Sequence, residues 1–487
     1  MFRSPKAHRM TATLAACAFA ISAIGANAQA PNPYASNNGT VPPGSQYSGP
    51  LFQLSYAYPQ TAPAPATPWQ TAIGNGRINV QNASAYVDAL KASISTDMRA
   101  LLLNYGQWNA AERGWYNEPW LGATREPIHG AYLATTDFPK ALFAGSGLTR
   151  DFSTYALVYY SQRAATTQRA VWGKTAMTPT ITKSSTQVQE GGVIIKVALT
   201  TANADVWPVM AGTLQWPLYI STNSTTGNHA SPQVDQTSLL QFDIIVKDTQ
   251  SSPQTGWVFS TLVYDKDAPG SDVWDKMVPL GAMWGNDPAS NSARPNPPPL
   301  TENWINPVAP AYAKMTLGWG GRLSGPNDAA LNDAIIVNGK QQTPVKNLAS
   351  SSCMSCHSPA QWPMKSFLLP TTTQPPKQPP APYADYLYMW PPGSPQWMQW
   401  FQSRNGSTPQ NVGAVAFDYD MVFAFKAVPA WQKAMHGADA SITSMQALAK
   451  SAARNGKSAA PGAVRAGEAR AIHEYQYQGK PVPVTGP

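Results

Sequence analysis

The sequence has 487 residues, a net charge of +8 at neutral pH and 12% charged residues. This weak positive bias, with no dense run of Lys and Arg, argues against a nucleic-acid-binding protein. The 46 Pro and 17 Trp residues favour loops and β-structure over long helices, and the length predicts two or three domains.

Residues 1–28 have the pattern of a secretory signal peptide. Three basic residues precede the apolar stretch 10–24, and Ala26-Asn27-Ala28 fits the small-x-small cleavage rule. Because the signal holds those three positive charges, the net charge of the mature chain falls to about +5. We expect export to a bacterial periplasm, and no other apolar run is long enough to predict a transmembrane segment.

Cys17 lies inside the apolar stretch, where Leu14-Ala15-Ala16-Cys17 resembles a lipoprotein box. Apolar residues continue beyond Cys17, so we do not expect a lipid anchor there. Since Cys17 is removed with the signal, the mature chain keeps only Cys353 and Cys356.

Residues 29–70 are rich in Pro, Ala, Ser, Asn and Gln, and we interpret them as a flexible or loosely packed leader. A helix is predicted from about Ser84 to Tyr105, because apolar residues recur at helical spacing and Gly106 follows as a stop signal. We expect its apolar stripe to pack against a core.

The pattern changes to strands between roughly residues 125 and 330. Gly192–Thr201, Leu239–Lys247 and Trp257–Tyr264 are apolar, β-branched runs, and the turn residues between the last two predict an antiparallel hairpin. The predicted fold class is mixed but mainly β. Residues 71–330 are expected to form a β-sandwich or jelly-roll-like body with an N-terminal helix.

Cys353-Met354-Ser355-Cys356-His357 is the most specific motif in the chain. It reads Cys-x-x-Cys-His, the pattern in which two thiols attach a c-type haem and the His binds its iron as the proximal ligand. Ser350-Ser351-Ser352 before it supplies helix N-cap chemistry. Residues 331–440 are therefore predicted to form a small, mostly helical or irregular region with one covalent haem c, followed by a loose tail at 441–487.

Two cysteines in an exported protein can also have functions other than haem attachment. They form disulfides in oxidising compartments, and a thioredoxin-like pair is a further possibility, although such pairs lie early in a βαβ unit. A structural zinc site needs two more ligands nearby, and the next His after the motif is His436. The His directly after the second Cys favours haem over these alternatives.

Several aromatic-rich and Gly-rich blocks accompany the motif: Trp115-Tyr116 with Pro119-Trp120, Arg125–Gly130, Thr255–Phe259, Trp274–Pro279, Met283–Pro288, Trp304–Pro307 and Leu317–Leu323. Through them the chain resembles large, single-haem cytochrome c family proteins of proteobacteria, over most of residues 115–425. The resemblance implies export, one covalent haem and a fused non-haem body. It implies no particular reaction, because the family has no well-assigned one.

Two features depart from that family. Ala329–Lys346 looks like an insertion before the cysteines, and Met421 stands in Asp418-Tyr419-Asp420-Met421 where relatives carry Leu. The second departure weakens a ligand role for Met421.

The iron of an electron carrier usually has a second axial ligand, and a Met thioether raises its reduction potential. The predicted distal ligands are Met398, which lies beside Trp397 and Trp400, and Met421, whose separation from the motif is familiar from small c-type cytochromes. Core filling is the alternative for each. The other downstream candidates are Met364, Met389, Met435 and His436.

His129 is a further candidate, as a distal-side ligand or proton donor. It follows Arg125 and Glu126 closely. The interpretation that we favour is a hydrogen-bonded structural histidine, with Arg125 and Glu126 as its ion-pair partners.

These patterns predict a periplasmic c-type cytochrome that works in electron transfer, as an electron-transfer protein or redox subunit more than as a stand-alone enzyme. Its mild positive charge favours an acidic redox partner protein. Two alternatives stay open: a haem-dependent oxidoreductase, either peroxidase-like or oxidising an organic substrate, and a haem-based sensor. The sequence contains no Ser-His-Asp order, phosphate loop or dinucleotide glycine pattern above chance.

Overall fold

We describe the protein from a computed structural model, which defines residues 31–436, except 38, 330, 338–341, 365 and 371–388, together with the strand 482–485. The predicted signal peptide, Cys17 and most of the predicted C-terminal tail lie outside the described residues. Within the described part of the chain, every helix falls short of the length or the apolarity that a bilayer crossing requires.

One helix is much longer than the others. Helix α2 spans Ala83–Leu103 and follows a short helix α1 (Pro68–Ala72). It buries Leu90, Ile94 and Met98 at helical spacing. The predicted N-terminal helix is therefore confirmed. The other α-helices are α3 (Gln162–Trp172), α4 (Ala311–Lys314), α5 (Cys353–His357) and α6 (Val428–His436), the last preceded by a π-helical turn at Phe423–Ala427. Short 3-10 turns lie at Tyr105–Gln107, Gly122–Thr124, Lys140–Phe143, Pro208–Met210, Trp319–Gly321 and Trp397–Gln399.

The β body is one antiparallel sheet of nine strands: β1 (Trp115–Tyr116), β2 (Tyr132–Phe138), β3 (Phe152–Ser161), β4 (Val193–Thr200), β5 (Gln215–Ile220), β6 (Gln233–Lys247), β7 (Trp257–Tyr264), β8 (Met277–Met283) and β9 (Asn303–Ile305). The strand order is β1-β3-β4-β6-β7-β8-β9, while β2 pairs with β3 and β5 pairs with β6. The mainly β fold class is confirmed. The described strands form no closed barrel, and those of the body are joined in a single hydrogen-bonded sheet.

The centre of the sheet is buried on both faces. Strands β6 and β7 pair from Gln241 with Val263 to Lys247 with Trp257, which confirms the predicted hairpin. All eight residues of β7 are buried, and since side chains alternate between the two faces of a strand, protein covers β7 on both sides. Helix α5 contacts the sheet through His357, whose ring meets Phe259 of β7, and through the Met354 N–H, which donates to Met283 Sδ of β8 at 3.4 Å.

The predicted leader has no regular element before α1, and most of its described residues are exposed. Phe52 and Tyr58 are buried. The Phe52 N–H donates to the Pro127 carbonyl at 2.9 Å, and the Tyr58 hydroxyl donates to the Asn117 carbonyl at 2.6 Å. Aromatic side chains therefore anchor this polar segment to the body at a few points, and a flexible or loosely packed leader stays a prediction.

The described residues between 350 and 436 form what we call the Cys–His region. Besides α5 and α6 it has two paired strands of two residues each, β12 (Gln361–Trp362) and β13 (Val415–Ala416). It is preceded by a hairpin of β10 (Leu331–Val337) and β11 (Gln342–Ala349), where the predicted insertion lies, and β14 (Val482–Thr485) pairs in parallel with β10.

Candidate functional site at Cys353, Cys356 and His357

Helix α5 begins at a capped N-terminus. The Ser355 N–H donates to Ser352 Oγ at 3.1 Å, and the Ser352 N–H donates to Ser355 Oγ at 2.6 Å, a reciprocal capping box. The Ser352 hydroxyl also donates to Asn286 Oδ1 at 2.8 Å, and the Cys353 N–H donates to the Leu323 carbonyl at 2.9 Å. The predicted serine cap is confirmed, and these bonds attach the start of the short helix to the rest of the fold.

A neighbouring segment passes unusually close to this cap. A Cβ atom on Gly318 would lie 2.0 Å from the carbonyl oxygen of Ser351, so only glycine fits there. The Trp319 N–H then donates to the same Ser351 carbonyl at 2.9 Å. This close approach brings the indole of Trp319 to the side of the helix where Cys356 lies.

Cys353 and Cys356 are three residues apart, which places them on one face of α5. Both are free thiols and partly exposed. Burial raises the pKa of both thiols, that of Cys356 to about 12. A catalytic dithiol needs the opposite shift, toward the thiolate, so these surroundings do not suit a thioredoxin-like pair.

His357 is the last residue of α5, and a backbone carbonyl binds one nitrogen of its ring. Its Nδ1 lies 2.6 Å from the carbonyl oxygen of Tyr419. Because a carbonyl can only accept, Nδ1 carries the proton and Nε2 carries the lone pair. Phe259 meets the ring edge-to-face, with the ring centres 4.9 Å apart. Burial lowers the pKa of His357 to about 4, so the imidazole is neutral at neutral pH, the form that ligates metals.

The carbonyl that holds the imidazole comes from a strained turn. Asp418 and Tyr419 have φ angles of 49° and 65°, a region that costs a non-glycine residue about 1–3 kcal/mol. The buried carboxylate of Asp418 accepts hydrogen bonds from Lys247 Nζ at 2.7 Å, from Trp257 Nε1 at 2.7 Å and from the Val188 N–H at 2.8 Å. These contacts with the β body stabilise the turn in the conformation that points its carbonyl at the imidazole.

Large side chains surround the other cysteine. We call them the aromatic cluster, which consists of Trp319, Leu348, Leu369, Met389, Trp397, Trp400 and Phe401. Cys356 and Met398 both pack against this cluster. The buried guanidinium of Arg322 lies 4.8 Å from the ring centre of Trp319 and 5.1 Å from that of Phe401. The predicted distal ligand Met398 therefore shares one apolar environment with Cys356.

Met421 has a different position. It is partly buried and follows two residues after Tyr419, whose carbonyl contacts Nδ1 of His357. Met421 is not among the residues of the aromatic cluster or among those packed against it. Of the two predicted methionines, the structure brings only Met398 into the surroundings of Cys356.

His129 lies at the other end of the sheet. Its ring stacks on Trp216, which pairs with Thr237 of β6, whereas Phe259 beside His357 pairs with Ile245 of the same strand. Thr237 and Ile245 are eight residues apart on β6, which corresponds to roughly 25 Å along an extended strand. The structure therefore does not bring His129 to the Cys–His site.

The interpretation of His129 as an ion-paired histidine is also wrong. Glu126 accepts from the backbone N–H of His129 at 2.6 Å, and Arg125 donates to the Glu118 carbonyl at 2.7 Å. Neither ring nitrogen of His129 has a hydrogen-bond partner within the described chain. Burial against aromatic rings replaces the expected charged partners, and it lowers the pKa of His129 to about 3.

Two contributors to the site were missed in the sequence. Tyr419 acts through its backbone carbonyl, which no side-chain pattern can indicate. Phe259 was recognised only as part of a strand, and its contact with the motif depends on tertiary packing. Among the described residues, no three His, Cys, Asp or Glu side chains are grouped as ligands for a metal ion.

Comparisons with known proteins give no relative for this chain, because no protein-family model, no curated protein and no solved structure matches it. Its function is therefore argued from its own residues.

Proposed function

We propose that the protein is an exported c-type cytochrome that transfers electrons in the periplasm, with one haem c bound through Cys353, Cys356 and His357. The observation that carries this proposal is the arrangement of helix α5. Two free thiols share one of its faces, and the next residue is a neutral imidazole whose Nδ1 is already bound by a backbone carbonyl.

The donor set fits haem c. Two thiols at this spacing match the two vinyl groups that form thioether bonds. A metal-binding histidine typically donates its second ring N–H to a carbonyl or carboxylate, which fixes the tautomer and raises the basicity of the ligating nitrogen. His357 has this arrangement through Tyr419, so Nε2 is the proposed proximal ligand. When bound, haem c supplies one-electron chemistry at its iron.

The surrounding residues have three roles in this proposal. The Asp418-Tyr419 turn orients the imidazole, and its buried contact with Lys247 attaches that turn to the sheet. Phe259 limits rotation of the imidazole by edge-to-face contact. The aromatic cluster covers part of Cys356 with apolar side chains and provides a low-dielectric environment, which would tune a reduction potential.

We propose Met398 as the distal ligand in preference to Met421. Met398 packs against the same aromatic cluster as Cys356. Met421 follows the Asp418-Tyr419 turn and is not among the residues packed against that cluster. Met398 would therefore be the second residue that holds the iron.

The proposed partner is an acidic redox protein. Cys353, Cys356 and His357 are each only partly covered, which leaves an edge of the site accessible to a partner. The excess of Lys and Arg over Asp and Glu favours encounters with a negatively charged surface.

The visible spectrum of the protein, produced in a host competent for cytochrome maturation, tests the proposal. We expect a low-spin, six-coordinate reduced spectrum that carbon monoxide does not change. His357→Ala should abolish that spectrum, whereas His229→Gln, at a histidine paired with Asp235 on the β body, should leave it unchanged. A high-spin spectrum that shifts with carbon monoxide or reacts with peroxide would contradict electron transfer and support the oxidoreductase or sensor alternative.

A further inference from the structure

A second potential site lies far from the cysteines. We call it the His129 cleft, and its walls include Tyr47, Leu102, Tyr105, His129, Leu214 and Trp216. Its volume is about 280 Å³, close to the lower end of the range for small-molecule sites. None of the described residues that line it is charged, so it suits an uncharged ligand.

The imidazole of His129 is the unusual feature of this cleft. It is only 3% exposed, and neither ring nitrogen has a hydrogen-bond partner within the described chain. A buried polar group without a partner destabilises the fold, and a bound water, ion or ligand is one way in which native structures satisfy such a group. The structure therefore contains one unsatisfied donor and one unsatisfied acceptor in the wall of an apolar cleft.

Rigid contacts hold the imidazole in this position. Its ring stacks on the indole of Trp216, with centres 4.1 Å apart and planes 17° from parallel. The ring of Tyr105 meets it edge-on, also at 4.1 Å. The backbone N–H of His129 donates to Glu126 Oε1 at 2.6 Å. The ring is thus preorganised and cannot turn freely to find another partner.

The protonation state of the imidazole defines the ligand chemistry. Because burial keeps the pKa of His129 near 3, the ring is neutral and has one N–H donor and one lone pair. A hydroxyl group can donate to the lone pair or accept from the N–H, at one ring nitrogen at a time. A carboxylate or an ammonium group can also pair with one nitrogen, but each brings a charge into the apolar cleft, whereas a hydroxyl group brings none.

We propose that the His129 cleft binds a small, uncharged aromatic alcohol of the phenol class. Its ring contacts the side chains of Leu102, Tyr105 and Trp216, and its hydroxyl group hydrogen-bonds to the His129 imidazole. This proposal does not depend on haem binding, because the cleft and His357 are separated by roughly 25 Å along β6.

The experiment is a titration of the holoprotein with 4-methylphenol and with toluene, which differ only in the hydroxyl group. Tryptophan fluorescence reports binding at Trp216, and calorimetry gives the dissociation constants. We expect one site that binds 4-methylphenol roughly tenfold or more tightly than toluene, with no change in the visible spectrum. The anion 4-methylbenzoate should not bind. Absence of 4-methylphenol binding would overturn the proposal.

His129→Phe tests the role of the imidazole, because it keeps the ring stacked on Trp216 and removes both nitrogens. We expect this variant to bind 4-methylphenol and toluene with equal affinity. Retention of the wild-type preference would refute hydrogen bonding to His129.

A second variant keeps the test decisive if His129→Phe fails to fold. Gly106 lines the cleft, and a Cβ atom there meets nothing within 4 Å. Gly106→Leu should fill part of the cleft and weaken 4-methylphenol binding at least tenfold. Gly76→Leu is the matched control, because Gly76 is also exposed, lies outside the cleft and has only an ordinary contact at 3.7 Å. Equal binding by both glycine variants would place the ligand elsewhere and contradict the proposal.

Discussion

The β body and the Cys–His region are stabilised in different ways. The body consists of strands of up to fifteen residues, and its centre is buried on both faces. The Cys–His region has a five-residue helix and two strands of two residues, and its buried side chains divide between the aromatic cluster and a second cluster in which Phe417, Phe423 and Val428 pack with body residues. The body is thus stabilised by backbone hydrogen bonds between long paired strands and by a continuous core. The Cys–His region depends on a few specific contacts and, in our proposal, on a covalent cofactor.

Buried polar contacts join the two regions. Asp418 is bound by Lys247 and Trp257 of the body, and Asp420 accepts from the Tyr160 hydroxyl at 3.1 Å. The turn that carries these two carboxylates also supplies the carbonyl for His357. The body therefore positions the site, although the residues with ligand chemistry lie outside the body.

Loss of the cysteines has the largest expected effect. Cys353→Ala with Cys356→Ala should eliminate covalent haem, detected by haem-dependent peroxidase staining of a denaturing gel. The far-ultraviolet β signal of the body should persist, because the sheet does not contain either cysteine. Ser358→Ala, just beyond α5, should retain full staining. Unchanged staining in the double variant would refute attachment at these thiols.

The buried ion pair between Asp418 of the Cys–His region and Lys247 of the body should contribute strongly to the stability of the fold. The side chain of Asp418 is fully buried and that of Lys247 is 9% exposed. Removing one partner leaves an uncompensated buried charge, so Asp418→Ala should lower the free energy of unfolding by about 3–5 kcal/mol in a urea titration. Asp267→Ala breaks an exposed Lys–Asp pair and should have no measurable effect. Equal stability of both variants would show that the buried pair does not anchor the turn.

The body should show a pH dependence of its own. Burial raises the pKa of Glu126 to about 7 from its usual 4.5, so the folded state binds this proton more tightly than the unfolded state. The resulting stabilisation is complete below about pH 4.5 and is lost as the pH rises to about 7, a difference of about 3 kcal/mol.

Urea titrations between pH 4.5 and 7.5 measure this effect. Glu126→Gln should reduce the downward slope of stability with pH but not remove it, because burial also raises the pKa of Glu118 and Asp420. Exposed Glu112→Gln should keep the wild-type slope. An unchanged slope in Glu126→Gln would contradict a buried, proton-binding Glu126.

The smallest effect concerns the distal ligand. Met398→Ala should lower the reduction potential by on the order of 0.1 V, because a thioether favours ferrous iron. Met421→Leu should leave the potential unchanged, since Met421 does not pack against the aromatic cluster that Cys356 and Met398 contact. A shift in the second variant alone would instead assign the distal ligand to Met421.

The sequence predicted features that are encoded locally. The helix at Ala83–Leu103 and the hairpin of β6 and β7 follow from periodicity over neighbouring residues, and the Cys-x-x-Cys-His motif occupies five consecutive positions. The single sheet depends on pairing between distant strands, which periodicity does not specify.

Two details of the site could not be predicted from the sequence, because they depend on contacts between distant residues and on backbone conformation. Asp418 and Lys247 are 171 residues apart, and positive φ angles at Asp418 and Tyr419 have no sequence signal, because neither residue is glycine. The aromatic partners of His129 were likewise hidden, since Trp216 lies on β5, far from His129 along the chain.

The mass of the mature protein under denaturing conditions shows whether haem is covalently attached to Cys353 and Cys356. Produced with a cytochrome maturation system, the chain should carry the mass of one haem in addition to residues 29–487, and the double cysteine variant should lack that addition. A colourless wild-type protein whose mass equals that of the bare processed chain would contradict the proposed function.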